Sequence, residues 1–243
     1  MTTQSFDAYD LPERVARYDA DMAVMHPHRS KMVQVALEVL PSEPNAHLQA
    51  LDLGAGTGYF SAKFLEAFPA SSVHALDGAQ AMLDLARERL GERGSAVTFH
   101  VGDFRDLRAI FAGEKFDVVF SSYALHHLTL DDKTAVMRDA ASLLRAGGWF
   151  LNADIIVAET PAVEGRIQEI RVRGIVERAA GRDQRFADHD MTRRYLDEME
   201  AKEGDRPLTL REDLQALRDA GLEDVAVFWL QYREAVTGGR NRV

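Results

Sequence analysis

Short apolar runs alternate with amphipathic stretches through the middle of the chain. The apolar runs, rich in Val, Leu, Ala and Phe, predict five strands, at 48–53, 73–76, 97–101, 116–121 and 149–156. Nearly continuous apolar character is typical of strands that are covered on both faces. Helical periodicity predicts the helices between them, at 59–68, 79–90 and 130–145. Strands and helices that alternate in this way predict a doubly wound, mostly parallel α/β sheet with right-handed crossovers.

Helical patterns flank this core on both sides. Residues 11–25 predict one helix, and the apolar stripe that follows them predicts a second helix that ends at Pro41. Beyond the core, residues 161–202 are helical in pattern. In that segment Val163, Ile167 and Ile170 share one side of the helical pattern.

The C-terminal part of the chain begins with a capping signal. Thr209, with Glu212 three residues later, has the spacing of a capping box, so a helix is predicted to begin there. Two strands follow, at 225–229 and 233–237. A connection this short cannot form a crossover, so the two strands are expected to pair antiparallel. The predicted sheet therefore has seven strands and resembles a Rossmann-like sheet with an antiparallel terminal hairpin.

The length of 243 residues fits a single domain, 1–243, that carries an insertion. Residues 48–156 form the predicted ligand-binding core, and residues 208–243 add the final helix and strand pair. Residues 1–44 and 157–207 are helical in pattern and lie outside the core. Each of them is therefore interpreted as a helical lid.

Composition narrows the function classes. The 29 basic and 39 acidic side chains give a formal net charge of −10, and a broad nucleic-acid footprint usually needs a basic surface. The absence of cysteine excludes disulfides, thiolate metal sites and thiol nucleophiles. No apolar run is long enough to cross a bilayer, and the first residues lack the layout of a secretion signal. We therefore expect a cytoplasmic protein with a small-molecule partner, and neither a nucleic-acid nor a membrane partner.

The strongest local motif is LDLGAGTGY, at the end of the first predicted strand. Gly54, Gly56 and Gly58 permit positive φ there and let a ligand lie against backbone amides. Tyr59 takes the place of the third glycine of a dinucleotide fingerprint, and the loop has no Gly-Lys-Ser/Thr sequence, which excludes a nucleoside triphosphate loop. Asp52, just before the glycines, would repel a pyrophosphate but is favourable beside a cation.

The next strand ends also carry acids. The second predicted strand ends at Asp77, and the third is followed by Gly102-Asp103-Phe104. The segment SSYALHHL follows the fourth strand, and LLRAGG precedes the fifth. Each acid alone could cap a helix or a turn. Their joint placement at the carboxyl ends of successive strands favours a binding site.

In this order, the motifs resemble those of class I S-adenosylmethionine-dependent methyltransferases. The resemblance covers residues 48–156 and the terminal hairpin. It implies that Asp77 hydrogen-bonds both ribose hydroxyls and that Asp103 accepts from the adenine amine beside Phe104. The predicted cofactor is therefore S-adenosyl-L-methionine. Its diol suits a carboxylate, and its adenine suits apolar neighbours such as Met82.

The predicted functional residues come from the glycine loop, the strand ends and the N-terminal helix. The cofactor-binding set is Tyr18, Asp52, Gly54, Ala55, Gly56, Gly58, Asp77, Gly78, Met82, Asp103, Phe104 and Ser121. The catalytic set is Tyr123, His126 and His127.

Methyl transfer is an in-line displacement, in which holding the nucleophile close to the methyl group supplies most of the acceleration. A base is needed only where the acceptor is a hydroxyl or a protonated amine. His126 is the favoured base, with His127 and Tyr123 beside it, and a capping or packing role stays open. No metal is predicted, because His26 and His28 lack further ligands at a known spacing.

The segment 161–194 is basic within an acidic chain, since it carries eight arginines and six acids. These arginines could bind an anionic acceptor or pair with acids on neighbouring helices. A solvated helix face is the commoner explanation for such a pattern.

The sequence therefore predicts a methyltransferase that acts on a small-molecule methyl acceptor. Two alternatives stay open: an enzyme that modifies S-adenosylmethionine itself, similar to carboxy-S-adenosylmethionine synthase, and a non-catalytic cofactor-sensing protein. A nicotinamide dehydrogenase is disfavoured by Tyr59 and Asp52. The acceptor, and whether the protein forms a homo-oligomer, are left open by the sequence.

Overall fold

The computed structural model describes Tyr9, residues 12–41 and residues 43–242. Its strands are β1 (Gln49–Leu53), β2 (Ser72–Asp77), β3 (Val97–Val101), β4 (Phe116–Ser122), β5 (Leu144–Ile155), β6 (Glu223–Gln231) and β7 (Glu234–Arg240). They form one seven-stranded sheet in the order β3-β2-β1-β4-β5-β7-β6. The pairs from β3 to β5 are parallel, and β7 pairs antiparallel with both β5 and β6. The predicted fold class is therefore confirmed. Of the predicted N-terminal lid and first helix, residues 1–8, 10, 11 and 42 lie outside the described residues.

Helices cover both faces of the sheet. They are α1 (Pro12–Met25), α2 (Arg29–Val39), α3 (Tyr59–Ala67), α4 (Gln80–Leu90), α5 (Leu107–Ile110), α6 (Leu130–Leu143), α7 (Pro161–Ala179), α8 (His189–Glu203) and α9 (Leu210–Asp219). Helices α1 to α4 pack on one face around Phe64 and Phe120, and α5, α6 and α9 pack on the other around Phe111 and Leu217. Among the described helices, none is long and apolar enough to cross a membrane.

The boundary between α6 and β5 differs from the prediction. The helix predicted over 130–145 ends at Leu143, and β5 begins at Leu144 rather than at Trp149. Phe116 on β4 pairs with Leu144, whereas Val118 pairs with Trp149, so the intervening residues 145–148 bulge out of the ladder. The glycines of LLRAGG therefore lie in a strand bulge, where Gly147 has a φ of 75° and a Cβ at Gly148 would lie 2.9 Å from Asp117 O.

The insertion between β5 and α9 folds around an apolar cluster of its own. Val172 and Ile175 of α7 pack there against Leu196 of α8 and Met25 of α1, and all four are buried. The side of the helix that carries Val163 is not its buried face, because the Val163 side chain is 53% exposed. The buried stripe of α7 lies in the second half of the helix, where α1 and α8 cover it.

Two helix caps stabilise the elements that follow the functional loops. Thr129 Oγ1 accepts from Asp132 N at 3.2 Å at the start of α6. At the start of α9, Thr209 and Glu212 form both halves of the predicted capping box, with Glu212 Oε2 accepting from Thr209 N at 2.9 Å. Each cap satisfies backbone donors that have no partner inside the helix.

A buried ion pair joins α6 to α9 on the second face of the sheet. Lys133 Nζ lies 2.5 Å from Asp213 Oδ1, and both side chains are at most 2% exposed. Thr237 Oγ1 of β7 donates to the other oxygen of Asp213 at 2.7 Å. Burial works against the charge of Lys133, but Asp213 and the charge of Asp154 together raise the pKa of the ammonium group. Removal of either partner would leave an uncompensated charge in the core.

We expect Lys133→Met to lower the free energy of unfolding by about 3–5 kcal/mol, because Asp213 would stay buried without its cation. Urea denaturation followed by circular dichroism measures this change. Lys63→Met is the matched control, since Lys63 pairs with Glu66 on the surface and both side chains are at least 40% exposed. Equal stability of the two variants would show that the α6–α9 pair contributes nothing to the fold.

Candidate active site

A cavity of about 510 Å³ opens at the carboxyl ends of β1 to β4. Eight of the twelve predicted cofactor-binding residues line it: Tyr18, Gly54, Gly56, Asp77, Gly78, Met82, Asp103 and Phe104. Of the predicted catalytic residues, Tyr123 and His127 also lie in its wall. The structure therefore brings most of the predicted residues together around one space.

The glycine loop forms the floor of this cavity. Gly54, Gly56 and Gly58 all have positive φ, between 53° and 70°. A side chain at Gly54 would place its Cβ 2.3 Å from the Cβ of Ala124, so only glycine fits there. At Gly56 the nearest atom would be Met82 Cε at 3.9 Å, so this glycine leaves open space above the backbone. Open backbone at a strand end is where a ligand can approach amide groups closely.

Asp77 holds the glycine loop and the end of β2 in register. Its Oδ2 accepts from Gly56 N at 2.8 Å and its Oδ1 accepts from Ala79 N at 2.9 Å. These two backbone donors fix the plane of a carboxylate that borders the cavity. A carboxylate in a fixed plane, with acceptor capacity on both oxygens, suits the two hydroxyls of a ribose.

Asp103 is held by the arginine two residues later. Arg105 Nε lies 3.0 Å from Oδ1 and 2.9 Å from Oδ2, and Arg105 N donates to Oδ1 at 2.9 Å. Burial alone would raise the pKa of Asp103, but the contacts with Arg105 outweigh it and lower the pKa. Asp103 is therefore an ionised acceptor beside the ring of Phe104, which also lines the cavity.

Four residues of the predicted cofactor set lie outside the cavity wall: Asp52, Ala55, Gly58 and Ser121. Asp52 is buried, and its Oδ2 accepts from Ser61 Oγ at 2.6 Å. Burial raises the pKa of Asp52 to about 7, although the bond from Ser61 opposes the rise. Ser121 Oγ donates to Leu53 O at 2.8 Å, and a Cβ at Gly58 would lie 2.9 Å from Ala86 Cβ. These positions shape the loop from beneath, and their direct contact with a cofactor stays a prediction.

His126 lies one layer behind the cavity, in a 3-10 turn at Leu125–His127. Its side chain is buried, and its Nδ1 lies 2.6 Å from Asp154 Oδ1. Its Nε2 lies 3.7 Å from Asp205 Oδ1. Burial would lower the pKa of His126, but the charge and hydrogen bond of Asp154, together with the charge of Asp205, raise the pKa above the usual value. Asp154 therefore orients the imidazole and stabilises its protonated form.

The side chain of His127 lines the main cavity, whereas that of His126 does not. Its Nε2 lies 3.3 Å from Tyr9 Oη and its Nδ1 lies 3.0 Å from Asp205 Oδ1. Among the described residues, His126, His127 and Asp205 could hold a metal ion, since one ligand atom from each lies within 4.8 Å of the others. The absence of a metal, as expected from the sequence, stays a prediction.

Asp154 and Asp205 were not singled out from the sequence. Asp154 lies near the carboxyl end of β5, at Leu144–Ile155, and a strand-end signal of the kind used for Asp77 could have found it. Asp205 lies in the insertion, far from the histidines in sequence, and no local pattern marks it.

Tyr123 has an unusual backbone, with φ of 51° in a residue other than glycine. Its hydroxyl donates to Glu234 Oε1 at 2.6 Å, and its ring lies 4.6 Å from that of His26. Burial, together with the charge of Glu234, raises the pKa of Tyr123 well above its usual value. Tyr123 is therefore a neutral, fixed wall residue.

A small void of about 30 Å³ lies against the main cavity. His126 borders the void, and Tyr9, Tyr18, Tyr123 and Glu203 border both spaces. The void is about the size of one water molecule. His126 is therefore separated from the main cavity by side chains that the two spaces share.

Contacts between α1 and the insertion close one side of the cavity. Glu203, the last residue of α8, accepts from Tyr9 Oη at 2.9 Å and lies 2.8 Å from Arg14 Nε. Arg185 donates to both oxygens of Asp21, at 2.6 and 2.9 Å. The N-terminal helix and the insertion therefore contact each other as well as the core.

Comparisons with known proteins found similar proteins for the core segment of the chain. Residues 50–148 match a family model described as a methyltransferase domain. The motifs in this segment are similar to those of class I S-adenosylmethionine-dependent methyltransferases, and S-adenosylmethionine is the cofactor of that family. A protein of Anoxybacillus flavithermus named "uncharacterized methyltransferase" is 36% identical over 129 residues, which are 53% of this chain and 57% of that protein. The chain thus spans little more than half of that relative's length.

Solved structures share the fold. An O-methyltransferase family protein from Burkholderia thailandensis superposes with a TM-score of 0.71 and 22% identity, over 100% of this chain and 64% of that one. A Haemonchus contortus phosphoethanolamine N-methyltransferase 2, in complex with S-adenosylmethionine, gives a TM-score of 0.65 and 18% identity, over 93% and 46% of the two chains. Both are similar to this chain in architecture at low identity.

We expect the pKa of the His126 imidazole to lie above the usual histidine value, because Asp154 and Asp205 together stabilise the protonated ring more than burial destabilises it. Proton–nitrogen NMR on protein treated with a chelator measures this pKa. In Asp154→Asn the carboxylate charge is gone while burial remains, so the pKa should fall below that of the parent protein. A value unchanged in Asp154→Asn would contradict the assignment. Asp190→Asn, on the surface beside His189, is the control that should leave His126 unchanged.

Proposed function

We propose that this protein transfers a methyl group from S-adenosylmethionine to a small-molecule acceptor. One observation carries the proposal: the open backbone at Gly56, the fixed carboxylate of Asp77 and the ionised Asp103 converge on one cavity, within the segment that matches the methyltransferase domain. The cavity volume of about 510 Å³ is within the range of small-molecule sites.

In this proposal four residues of the cavity wall contact the ribose and the adenine of the cofactor. Asp77 accepts from the ribose hydroxyls, while Asp103 accepts from the adenine amine. Phe104 and Met82 contact the faces of the adenine ring. The amide of Gly56 is already held by Asp77, which keeps the loop open for the amino acid part of the cofactor.

His126 acts on the acceptor in this scheme. Methyl transfer to a hydroxyl requires loss of its proton, and the neutral imidazole of His126, oriented by the Asp154 carboxylate, is a buried base that can accept it. The void that His126 borders shares Tyr123 and Glu203 with the cofactor cavity. An acceptor atom placed there would lie between the imidazole and the cofactor. Positioning of that atom against the methyl group would supply most of the rate.

The N-terminal helix and the insertion serve as a lid. Tyr9, which precedes α1, and Tyr18 of α1 border both the cofactor cavity and the void. Glu203 of the insertion also borders both spaces. Because the void holds only about one water molecule, an acceptor enters when α1 and α8 move apart. Closure then excludes water from the reacting atoms.

Calorimetric titration with S-adenosylhomocysteine tests the cofactor site directly. We expect Asp77→Asn to weaken binding at least tenfold, because the amide cannot accept from both ribose hydroxyls and its NH₂ group faces the backbone donors that the carboxylate now accepts. Asp84→Asn is the matched control, since Asp84 lies on the exposed face of α4 and its carboxylate pairs with Arg87.

Absence of binding heat in the parent protein, or equal affinity in both variants, would reject the proposed site. Mass spectrometry of any nucleoside that copurifies with the protein adds a second check. A carboxylated cofactor in that material would contradict methyl transfer and favour modification of the cofactor itself.

A further inference from the structure

A second cavity, of about 260 Å³, lies where the turn between α1 and α2 meets α7 and the β6–β7 hairpin. Four arginines and two histidines line it, against two glutamates: Arg171, Arg173, Arg178, Arg233, His26, His28, Glu177 and Glu234. A basic cavity is notable in a chain with a formal net charge of −10. Local charge of this sign concentrates anionic ligands.

Two of these arginines are buried and share one carboxylate. The side chains of Arg171 and Arg233 are 7% and 6% exposed. Arg171 forms an ion pair with Glu200, and Arg233 Nη1 lies 3.1 Å from the same oxygen, Glu200 Oε1. The Nε atoms of both arginines have no hydrogen-bond partner among the described residues. Burial, followed by the repulsion from Arg233, lowers the pKa of Arg171 to about 10.

The other two carboxylates near this pair each have a direct partner elsewhere. Glu234 is held by the hydroxyl of Tyr123 at 2.6 Å and lies 3.3 Å from His26 Nδ1. Arg193 adds a further positive charge that acts on Arg171. Asp205 acts on Arg233 but lies 3.0 Å from His127 Nδ1. Two buried cations with a single shared anion are unfavourable unless a second anion compensates them.

The cavity is connected to the proposed reaction site through shared side chains. Arg171 and His26 border both the second cavity and the small void next to His126. The hydroxyl of Tyr123, a wall residue of the cofactor cavity, donates to Glu234 in the wall of the second cavity. A ligand in the second cavity would therefore lie one layer of side chains from the cofactor.

We propose that the second cavity binds an anionic group, a carboxylate or a phosphate, of the methyl acceptor. Arg171 and Arg233 would form the floor of this site, and Arg173 and Arg178 would form its rim. Paired guanidinium groups suit the planar carboxylate and the phosphate in particular, because their fixed donors match two acceptor oxygens. The inference rests on the proposed function and adds the acceptor class to it.

Calorimetry on protein saturated with S-adenosylhomocysteine tests the inference with three probes: benzoate, its neutral isostere benzamide, and inorganic phosphate. We expect benzoate or phosphate to bind at least tenfold more tightly than benzamide. Arg233→Met should remove this preference, and Arg173→Gln should reduce it. Arg166→Gln is the matched control, because Arg166 lies on the exposed part of α7 and outside the cavity.

Equal binding of acid and amide together with no binding of phosphate at millimolar concentration would overturn the inference. Retention of the anion preference in both Arg233→Met and Arg173→Gln would overturn it as well. If Arg233→Met fails to fold, Arg173→Gln decides alone, since Arg173 is exposed and its loss leaves the core intact. S-adenosylhomocysteine binding separates the two proposals: its absence rejects the proposed function, whereas its presence without anion preference rejects only the acceptor class.

Discussion

The close approach of the Gly54 backbone to Ala124 is the contact on which the rest of the site depends. A Cβ at Gly54 would lie 2.3 Å from the Cβ of Ala124, so the turn after β1 and the turn after β4 can meet only through a glycine. That contact sets the position of Gly56, whose amide binds Asp77 of the next strand. Three strand ends are thereby fixed around one cavity before any ligand arrives. Preorganisation of this kind lowers the cost of ordering the site on binding.

Charge in this molecule is arranged in two distinct ways. In the core, Lys133 and Asp213 form a pair with matched charges, and their role is to hold α6 against α9. Around the void, Asp154 supports His126 from behind, while Arg171 and Arg233 share a single carboxylate. Perturbed and incompletely compensated groups collect where a ligand or a reaction can use them. The contrast separates structural charges from those that we assign to function.

The sequence predicted the features that are encoded locally. Strands, helices and their order follow from apolar periodicity, and the cap at Thr209 follows from residue spacing. The placement of Asp77 and Asp103 beside one cavity was also predictable, because the end of a parallel strand is a local feature with a known place in the fold. The bulge in β5 was missed, since glycines after a helical pattern favour a helix end and the competing strand pairing is not local.

The residues around the acceptor site could not be predicted in the same way. Glu203, Asp205 and Arg233 meet their partners only after the insertion has folded against α1 and the core. The placement of His127 in the cavity, with His126 behind it, depends on the rotation of a single 3-10 turn, which spacing does not specify. These contacts join residues far apart in sequence, so they are a property of the tertiary structure.

A crystal structure of the protein with bound S-adenosylhomocysteine is the most direct measurement. The account predicts the ligand in the cavity above Gly56, with both ribose hydroxyls within hydrogen-bond distance of the Asp77 carboxylate and the adenine against Phe104. A ligand bound elsewhere, or an Asp77 carboxylate that contacts no ribose hydroxyl, would contradict it.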